Sequence, residues 1–181
     1  MKKPASGHHH HAIAACAFEI STAGGRIQLF PAGKFRAVDG RPTDCTHWFI
    51  DAVVAEHLIV ALSARKNPIV IDCEHQTLRT GENDMPTPAA GGMHGGKMVW
   101  EDGGFFADGV EWTSRARELI QNREYRYISP VFSYNRTTGA IDQIIHAALT
   151  NDPGLDGMSE VTLAAASRLD ALTNTMEIPR E

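Results

Sequence analysis

A mainly β fold of the α+β class, closed into a β-barrel or strongly curved and flanked by helices, is what this 181-residue sequence predicts. Three observations predict it. Short apolar runs alternate at period two or are β-branched, as strands are. Clusters of Gly, Pro, Asn and Asp punctuate these runs at hairpin spacing. Only two or three segments carry helical spacing, so helices flank the sheet instead of alternating with its strands. The length suits one domain with a real core.

The elements follow in chain order. Residues 12–20 are apolar and Ala-rich, a short helix or a first strand, and Gly24-Gly25 turns the chain. Arg26-Ile27-Gln28-Leu29-Phe30 alternates and ends at Pro31 and Gly33, a strand with its stop. Residues 35–41 read as a loop with a turn at Asp39-Gly40. Residues 51–64 read as a helix: Asp51 is the N-cap, and Val54, Leu58 and Leu62 share a face. Asn67-Pro68 closes it and opens the buried strand Ile69-Val70-Ile71.

Residues 78–96 hold Pro86, Pro88, Gly91, Gly92, Gly95 and Gly96 and read as one long loop. Such a loop in a compact domain is functional or disordered, and this one directly follows a histidine whose cleft it would shape. Residues 98–100 and 105–112 make a hairpin turned at Asp102-Gly103-Gly104. Thr113 caps a helix that runs to Asn122 and ends in Arg123. Residues 125–134 form a strand that Pro130 bends or confines to an edge. Thr137-Thr138-Gly139 turns into the last core strand, 141–149, which Asn151-Asp152-Pro153-Gly154 ends. Residues 161–173 are Ala/Leu-rich and helical in character. The organisation is a segment 1–24, one domain 25–160, and a helix and tail 161–181.

Composition excludes several classes. A net charge of -5 and a pI near 6.0 argue against a nucleic-acid binder, which wants a basic stripe. No apolar run approaches the roughly 18 residues of a membrane span. Cys16, Cys45 and Cys73 are odd in number and widely spaced, which suits a reducing compartment and gives no disulfide framework or zinc knuckle. Met1-Lys2-Lys3 is followed by polar residues where a secretory signal needs an apolar core. The run His8-His9-His10-His11 binds metal in principle and stands outside the fold reasoning.

Three strand-borne residues are candidates for chemistry: His75, Ser129 and His146. Serine catalysis needs a hydroxyl within hydrogen-bond reach of an imidazole, and a third group to fix the tautomer and stabilise the imidazolium. Each candidate has a plainer reading. Ser129 can be a buried, hydrogen-bonded hydroxyl, His146 a satisfied core histidine, and His75 the point where a strand surfaces. Ser133, two residues on in the same strand, is the nearest competitor as nucleophile. Cys73 shares a face with His75 if the strand runs on regularly, and is a second alternative. A metal held by His75 with Asp72 or Glu74 is a third, although no second histidine sits at ligand spacing. His47 and His57 read as surface residues, and His94 lies in the Gly-rich loop. There is no G-x-S-x-G elbow, so an α/β-hydrolase has no support.

With these residues in view the chain resembles the Mu-like prophage I proteins. Four blocks carry the resemblance in order: Ile27-Gln28-Leu29-Phe30-Pro31-Ala32-Gly33; Val70-Ile71-Asp72-Cys73-Glu74-His75-Gln76-Thr77; Tyr125-Arg126-Tyr127-Ile128-Ser129-Pro130-Val131-Phe132; and His146-Ala147-Ala148-Leu149-Thr150-Asn151-Asp152-Pro153. That family is similar to the prohead proteases of tailed phages and, more remotely, to herpesvirus assemblins. The resemblance implies a mostly antiparallel β-barrel ringed by helices, and a serine endopeptidase without cofactors that cleaves itself and scaffold or major capsid proteins inside the assembling prohead, in the host cytoplasm. It implies Ser129 as nucleophile, His75 as base 54 residues earlier, and His146 on the next strand as third member. Self-association follows by analogy with assemblin dimers. The assemblins' arginine pair beyond the third member has no counterpart, since no Arg follows His146 until Arg168. Two rivals remain. One is a non-catalytic scaffold or capsid-assembly module of the same fold, with 161–173 as its contact. The other is a metal-dependent hydrolase using the His-rich N-terminus.

A second imidazole is a weaker partner for a protonated histidine than a carboxylate, so a slow enzyme is expected. If His75 has the unperturbed pKa of ~6.5, the rate falls as pH drops through the window 5 to 8, and a flat rate there counts against His75 as base.

Overall fold

The computed structural model describes residues 14–15, 25–79, 86–101, 103–152 and 154. The strands are β1 (Ala14–Ala15), β2 (Ile27–Pro31), β3 (Gly33–Phe35), β4 (Trp48–Ile50), β5 (Ile69–Cys73), β6 (Gly91–Met93), β7 (Met98–Glu101), β8 (Gly104–Ala107), β9 (Glu111–Trp112), β10 (Tyr127–Tyr134) and β11 (Ile141–Thr150). The helices are α1 (Ala52–Ser63) and α2 (Ser114–Gln121), with 3₁₀ turns at Gln76–Arg79 and Gly95–Lys97. The predicted caps hold: the Asp51 carboxylate accepts from the Val54 N–H, and the Thr113 hydroxyl from the Ala116 N–H. The expected helix 161–173 and most of the segment 1–24 lie outside the described residues.

The expected class, mainly β with two helices, is found; the expected closed barrel is not. Among the described residues the sheets are open. A six-stranded sheet has the order β1-β10-β11-β5-β6-β9, a three-stranded sheet the order β2-β8-β7, and β3 pairs with β4. All pairs are antiparallel except β11 with β5. Closure fails because the predicted strand 105–112 is split. β8 pairs with β2 and β7, then Asp108 and Val110 donate to the carbonyls of Lys97 and Gly25, and the chain enters the other sheet as β9. β9 ends that sheet after two residues, and among the described residues no strand joins it to β1 at the far edge.

Part of the expected long loop is also strand. Gly91 and Gly92 pair with Ile71 and Val70 on one side and with Trp112 and Glu111 on the other. A side chain at Gly91 would run into the Glu111 carbonyl, so this strand needs its glycine. Residues 80–85 of that loop lie outside the described residues.

Phe132 of β10 holds the sheets to one another. It is fully buried and meets Phe30 of β2 and Trp48 of β4 edge-to-face, with ring centroids 5.0 and 5.2 Å apart. Ala55, Leu58 and Leu62 of α1 close the same core. The predicted Val54 is only half-buried, and Ala55 takes the inward position. At the surface the Arg26 guanidinium reaches Asp108 at 2.6 Å and Glu101 at 2.7 Å, tying β2 to its hairpin neighbours for about 0–1 kcal/mol per exposed pair.

Pro130 sits in the middle of β10, opposite Ala147, yet the ladder tolerates it. β1 pairs only with Phe132 and Val131, so Pro130 lies just past the described end of that neighbour. Among the described residues no strand pairs with Pro130 on that side.

Truncating Phe132 to Ala should cost about 3–5 kcal/mol, read as a lowered urea midpoint. A loss under ~1 kcal/mol would mean that the three sheets are not held by this ring cluster.

Candidate active site

Strand register brings the site together. Asp72 of β5 lies opposite Ala148 of β11, and Ala148 lies opposite Ser129 of β10. His146 is two residues from Ala148 and opposite Val131, itself two residues from Ser129. Side chains at such positions share one face of a sheet. Asp72, Ser129 and His146 therefore project together, and all three are buried, at 0%, 2% and 4% exposure.

His75 arrives by a different route. β5 stops at Cys73, and Glu74 and His75 both take a left-handed backbone, each with φ 54°. For residues with a Cβ this costs about 1–2 kcal/mol each. The turn is pinned on both sides. The Glu74 N–H donates to the Leu149 carbonyl at 2.9 Å, and the Thr77 N–H donates to Asp72 Oδ2 at 2.7 Å. The result is that His75 Nε2 stands 2.9 Å from Ser129 Oγ, a hydrogen bond across 54 residues of sequence.

The third candidate is adjacent but not bonded. The rings of His75 and His146 are edge-to-face with centroids 5.8 Å apart. His146 Nε2 lies 3.9 Å from Asp72 Oδ2. His75 Nδ1, His146 Nε2 and Asp72 Oδ1 are buried without a hydrogen-bond partner. One donor atom from each of Asp72, His75 and His146 falls within 4.8 Å of the others. The acid in this group is the feature that sequence reasoning underrated. Asp72 was visible only as a metal-ligand candidate beside Glu74. The signal for more was its place inside a β-branched strand, where an acid has no reason to be unless it faces something.

Burial sets the protonation. It pushes the His75 pKa down to about 4, with the charges of His146 and Arg79 adding to the effect and Asp72 opposing it. Burial also lowers His146, again against the pull of Asp72. Both imidazoles are neutral at pH 7, so His75 can accept a proton from Ser129. The expected acid limb near ~6.5 is thereby corrected. A rate flat from pH 5 to 8 is what a His75 base of pKa about 4 gives, and it no longer counts against the role.

The competitors are placed elsewhere. The left-handed turn breaks the alternation that would have put Cys73 beside His75. Cys73 instead lines a cavity with Ala90, Leu119 and Tyr125, and burial, with Asp72 and Glu74, raises its thiol pKa away from the reactive thiolate. The Ser133 hydroxyl donates to Asp142 at 3.3 Å and faces α1 near Leu58 and Leu62. Glu74 accepts from Thr150 and is not in the histidine group. His57 is exposed, His47 is half-buried with its ring against the Thr46 hydroxyl, and His94 pairs with Glu111 at 3.1 Å.

Ser129 and His75 open into a cleft of about 350 Å³ lined by Val38, Asp39, Arg41, Asp152 and Gly154. Its far wall is the loop 36–42, which sequence reading left without a role. The Arg36 guanidinium donates to the carbonyls of Thr46, Gly40 and Pro42, and the Val38 N–H donates to the Gly154 carbonyl at 2.7 Å. Arg41 is held by Asp39 at 2.7 Å. The wall is thus held by hydrogen bonds, and the hydroxyl and imidazole that meet at the cleft are the pair that a serine nucleophile and its base would need.

The family described as "Mu-like prophage I protein, N-terminal domain" matches residues 27–162. "Protease I" of Escherichia phage Mu is 42% identical over 153 residues, which cover 82% of this chain and 42% of that protein. The "Mu-like prophage FluMu I protein" of Haemophilus influenzae is 32% identical over 162 residues, covering 86% and 45%. The chain spans less than half the length of these two relatives. No solved structure matches it.

The lowered pKa has a consequence for stability. Between ~6.5 and about 4 the unfolded chain binds a proton that folded His75 refuses, so stability falls as pH drops through that window. The urea midpoint should decline from pH 7 to pH 4.5, and His75→Gln should flatten the decline. Identical pH profiles for the two proteins would show that His75 is not buried in its neutral form.

Proposed function

The chain belongs to the Mu-like prophage I protein family, and from that premise we propose that it is a serine endopeptidase of phage capsid maturation. One observation carries the reading: the 2.9 Å hydrogen bond between His75 Nε2 and Ser129 Oγ at the floor of a cleft, in a relative of a protein called Protease I.

Ser129 Oγ attacks the scissile carbonyl while His75 Nε2 takes its proton. His75 then delivers that proton to the leaving amine, and water repeats the cycle on the acyl-enzyme. The proton already on neutral His75 must be on Nδ1, because Nε2 has to accept. When His75 becomes an imidazolium, the carboxylate of Asp72 is the nearby negative charge that favours it, and His146 packs edge-on and limits the ring's orientations. The reading is therefore Ser129-His75-His146 with Asp72 beneath it as counter-charge. A base with a pKa of about 4 takes a serine proton less readily than one near 7, which argues for slow turnover. Slow turnover suits a protease enclosed with its substrate at high effective concentration.

The proposed substrates are the chain's own longer precursor and the scaffold and major capsid proteins, met inside the prohead in the host cytoplasm. Among the described residues no helix is long and apolar enough to cross a membrane. The rival is a scaffold module that keeps the fold without the chemistry.

A fluorophosphonate probe should label wild type at Ser129 and leave Ser129→Ala unlabelled, read by intact mass. His75→Ala should slow labelling about 10²–10⁴-fold. His146→Ala and Asp72→Asn should slow it less. In a chain extended through the downstream part of its relatives, self-cleavage should vanish with Ser129→Ala. Equal labelling of wild type and Ser129→Ala would move the nucleophile elsewhere, and no labelling with no self-cleavage would favour the scaffold module.

A further inference from the structure

The buried group of Asp72, His75 and His146 has more donor atoms than the serine mechanism uses. Asp72 Oδ1, His75 Nδ1 and His146 Nε2 are each buried and each without a hydrogen-bond partner. Buried polar atoms without a partner are costly, so something polar is favoured between them. A bridging water is one answer, since a buried water makes about three hydrogen bonds. The donor set suits a metal better. Two imidazoles and a carboxylate are the three protein ligands of open zinc sites, with a fourth position left for an oxygen. Ser129 Oγ stands 2.9 Å from the other ring nitrogen, His75 Nε2, so the serine lies outside this donor set.

Geometry allows it with a small contraction. Tetrahedral zinc with bonds near 2.1 Å sets its donor atoms about 3.4 Å apart. One ligand atom from each of the three residues lies within 4.8 Å of the others, and His146 Nε2 is 3.9 Å from Asp72 Oδ2, so side-chain shifts of about an ångström close the set. The carboxylate already sits in a fixed orientation, because the Thr77 N–H holds Oδ2 at 2.7 Å and leaves Oδ1 free for a ligand.

We propose that Asp72, His75 and His146 form a binding site for a borderline divalent cation such as Zn²⁺, and that occupying it switches the serine site off reversibly. The switch is a tautomer. A cation on His75 Nδ1 needs that nitrogen's lone pair, so the ring's only proton moves to Nε2. Nε2 then donates to Ser129 Oγ instead of accepting from it, and the hydroxyl has lost its base. No bond in the chain is made or broken, and removing the cation restores the productive tautomer. The inhibition rests on the protease reading; the binding does not.

The test uses the full chain with His8, His9, His10 and His11 replaced by Ser, which removes the competing N-terminal run. Zn²⁺ is titrated against a chromophoric chelator at pH 7.5. One tight site per chain is expected. It should weaken by about 100-fold or more in Asp72→Asn and in His146→Ala and persist in Ser129→Ala. Co²⁺ in the unsubstituted triad should give the intense visible absorption of a tetrahedral N/O site, a readout that does not depend on any variant folding. Zn²⁺ should suppress fluorophosphonate labelling of Ser129, and a chelator should restore it. No binding in the histidine-free chain overturns the site. Binding of equal strength in both variants overturns it too. Binding that leaves labelling untouched overturns the switch. A chain that binds Zn²⁺ as described but is never labelled keeps the cation site and rejects the protease reading instead.

Discussion

The hydrogen bond from the Thr77 N–H to Asp72 Oδ2 is the contact on which the rest of the site depends. It ties the last buried acid of β5 to the 3₁₀ turn beyond it, across two residues in left-handed backbone. Without that tie only the Glu74 N–H bond to the Leu149 carbonyl would pin Glu74 and His75 in a conformation that costs about 1–2 kcal/mol each. With it, the imidazole is folded back over the sheet and meets Ser129. The same carboxylate then serves as the negative charge under the ring. One side chain fixes the turn that delivers His75 and is the charge that raises its pKa against burial.

The sheet supplies what the turn cannot. β10, β11 and β5 lie side by side, and β11 is the member both others pair with. Its parallel pairing with β5 places Asp72 level with Ala148, and its antiparallel pairing with β10 places Ala148 level with Ser129. A slip of one residue in either ladder would carry Asp72 or Ser129 to the opposite face. That register is protected from below by fully buried Ile71, Ala147, Leu149 and Ile128, so the positions of the reactive groups are set by packing they do not share in.

Much of this was legible. β5, β10 and β11 announce themselves through β-branched and alternating runs, and the caps of both helices are read correctly from Asp51 and Thr113. His75, Ser129 and His146 are nameable because a polar group on an apolar strand stands out. What was illegible depended on distance. The strand expected over 105–112 changes sheets at Asp108-Gly109-Val110, and the partners that decide this, Gly25 and Lys97, are remote or lie across a turn. The barrel failed for that reason. The face of His75 was misjudged because alternation was carried past Cys73, into residues whose φ is set by a carboxylate and not by the strand. The cleft wall 36–42 gave no signal, since a loop's composition says nothing about which groove it borders.

Burial and reactivity pull against each other at His75. Removing the ring from water keeps it neutral, ready to accept a proton well below pH 7, and makes it a poor acceptor by the same stroke. A solvent-exposed histidine would be a better base and would respond to every change of pH near neutrality. A deeply buried one without Asp72 would be weaker still, because the carboxylate is the influence that raises both imidazoles. The arrangement lies between these limits. On the proposed reading it gives up rate and gains indifference to pH, and it leaves Asp72 Oδ1, His75 Nδ1 and His146 Nε2 buried without hydrogen-bond partners. Under the proposed cation switch, control of the site falls less to bulk pH than to what sits between Asp72, His75 and His146.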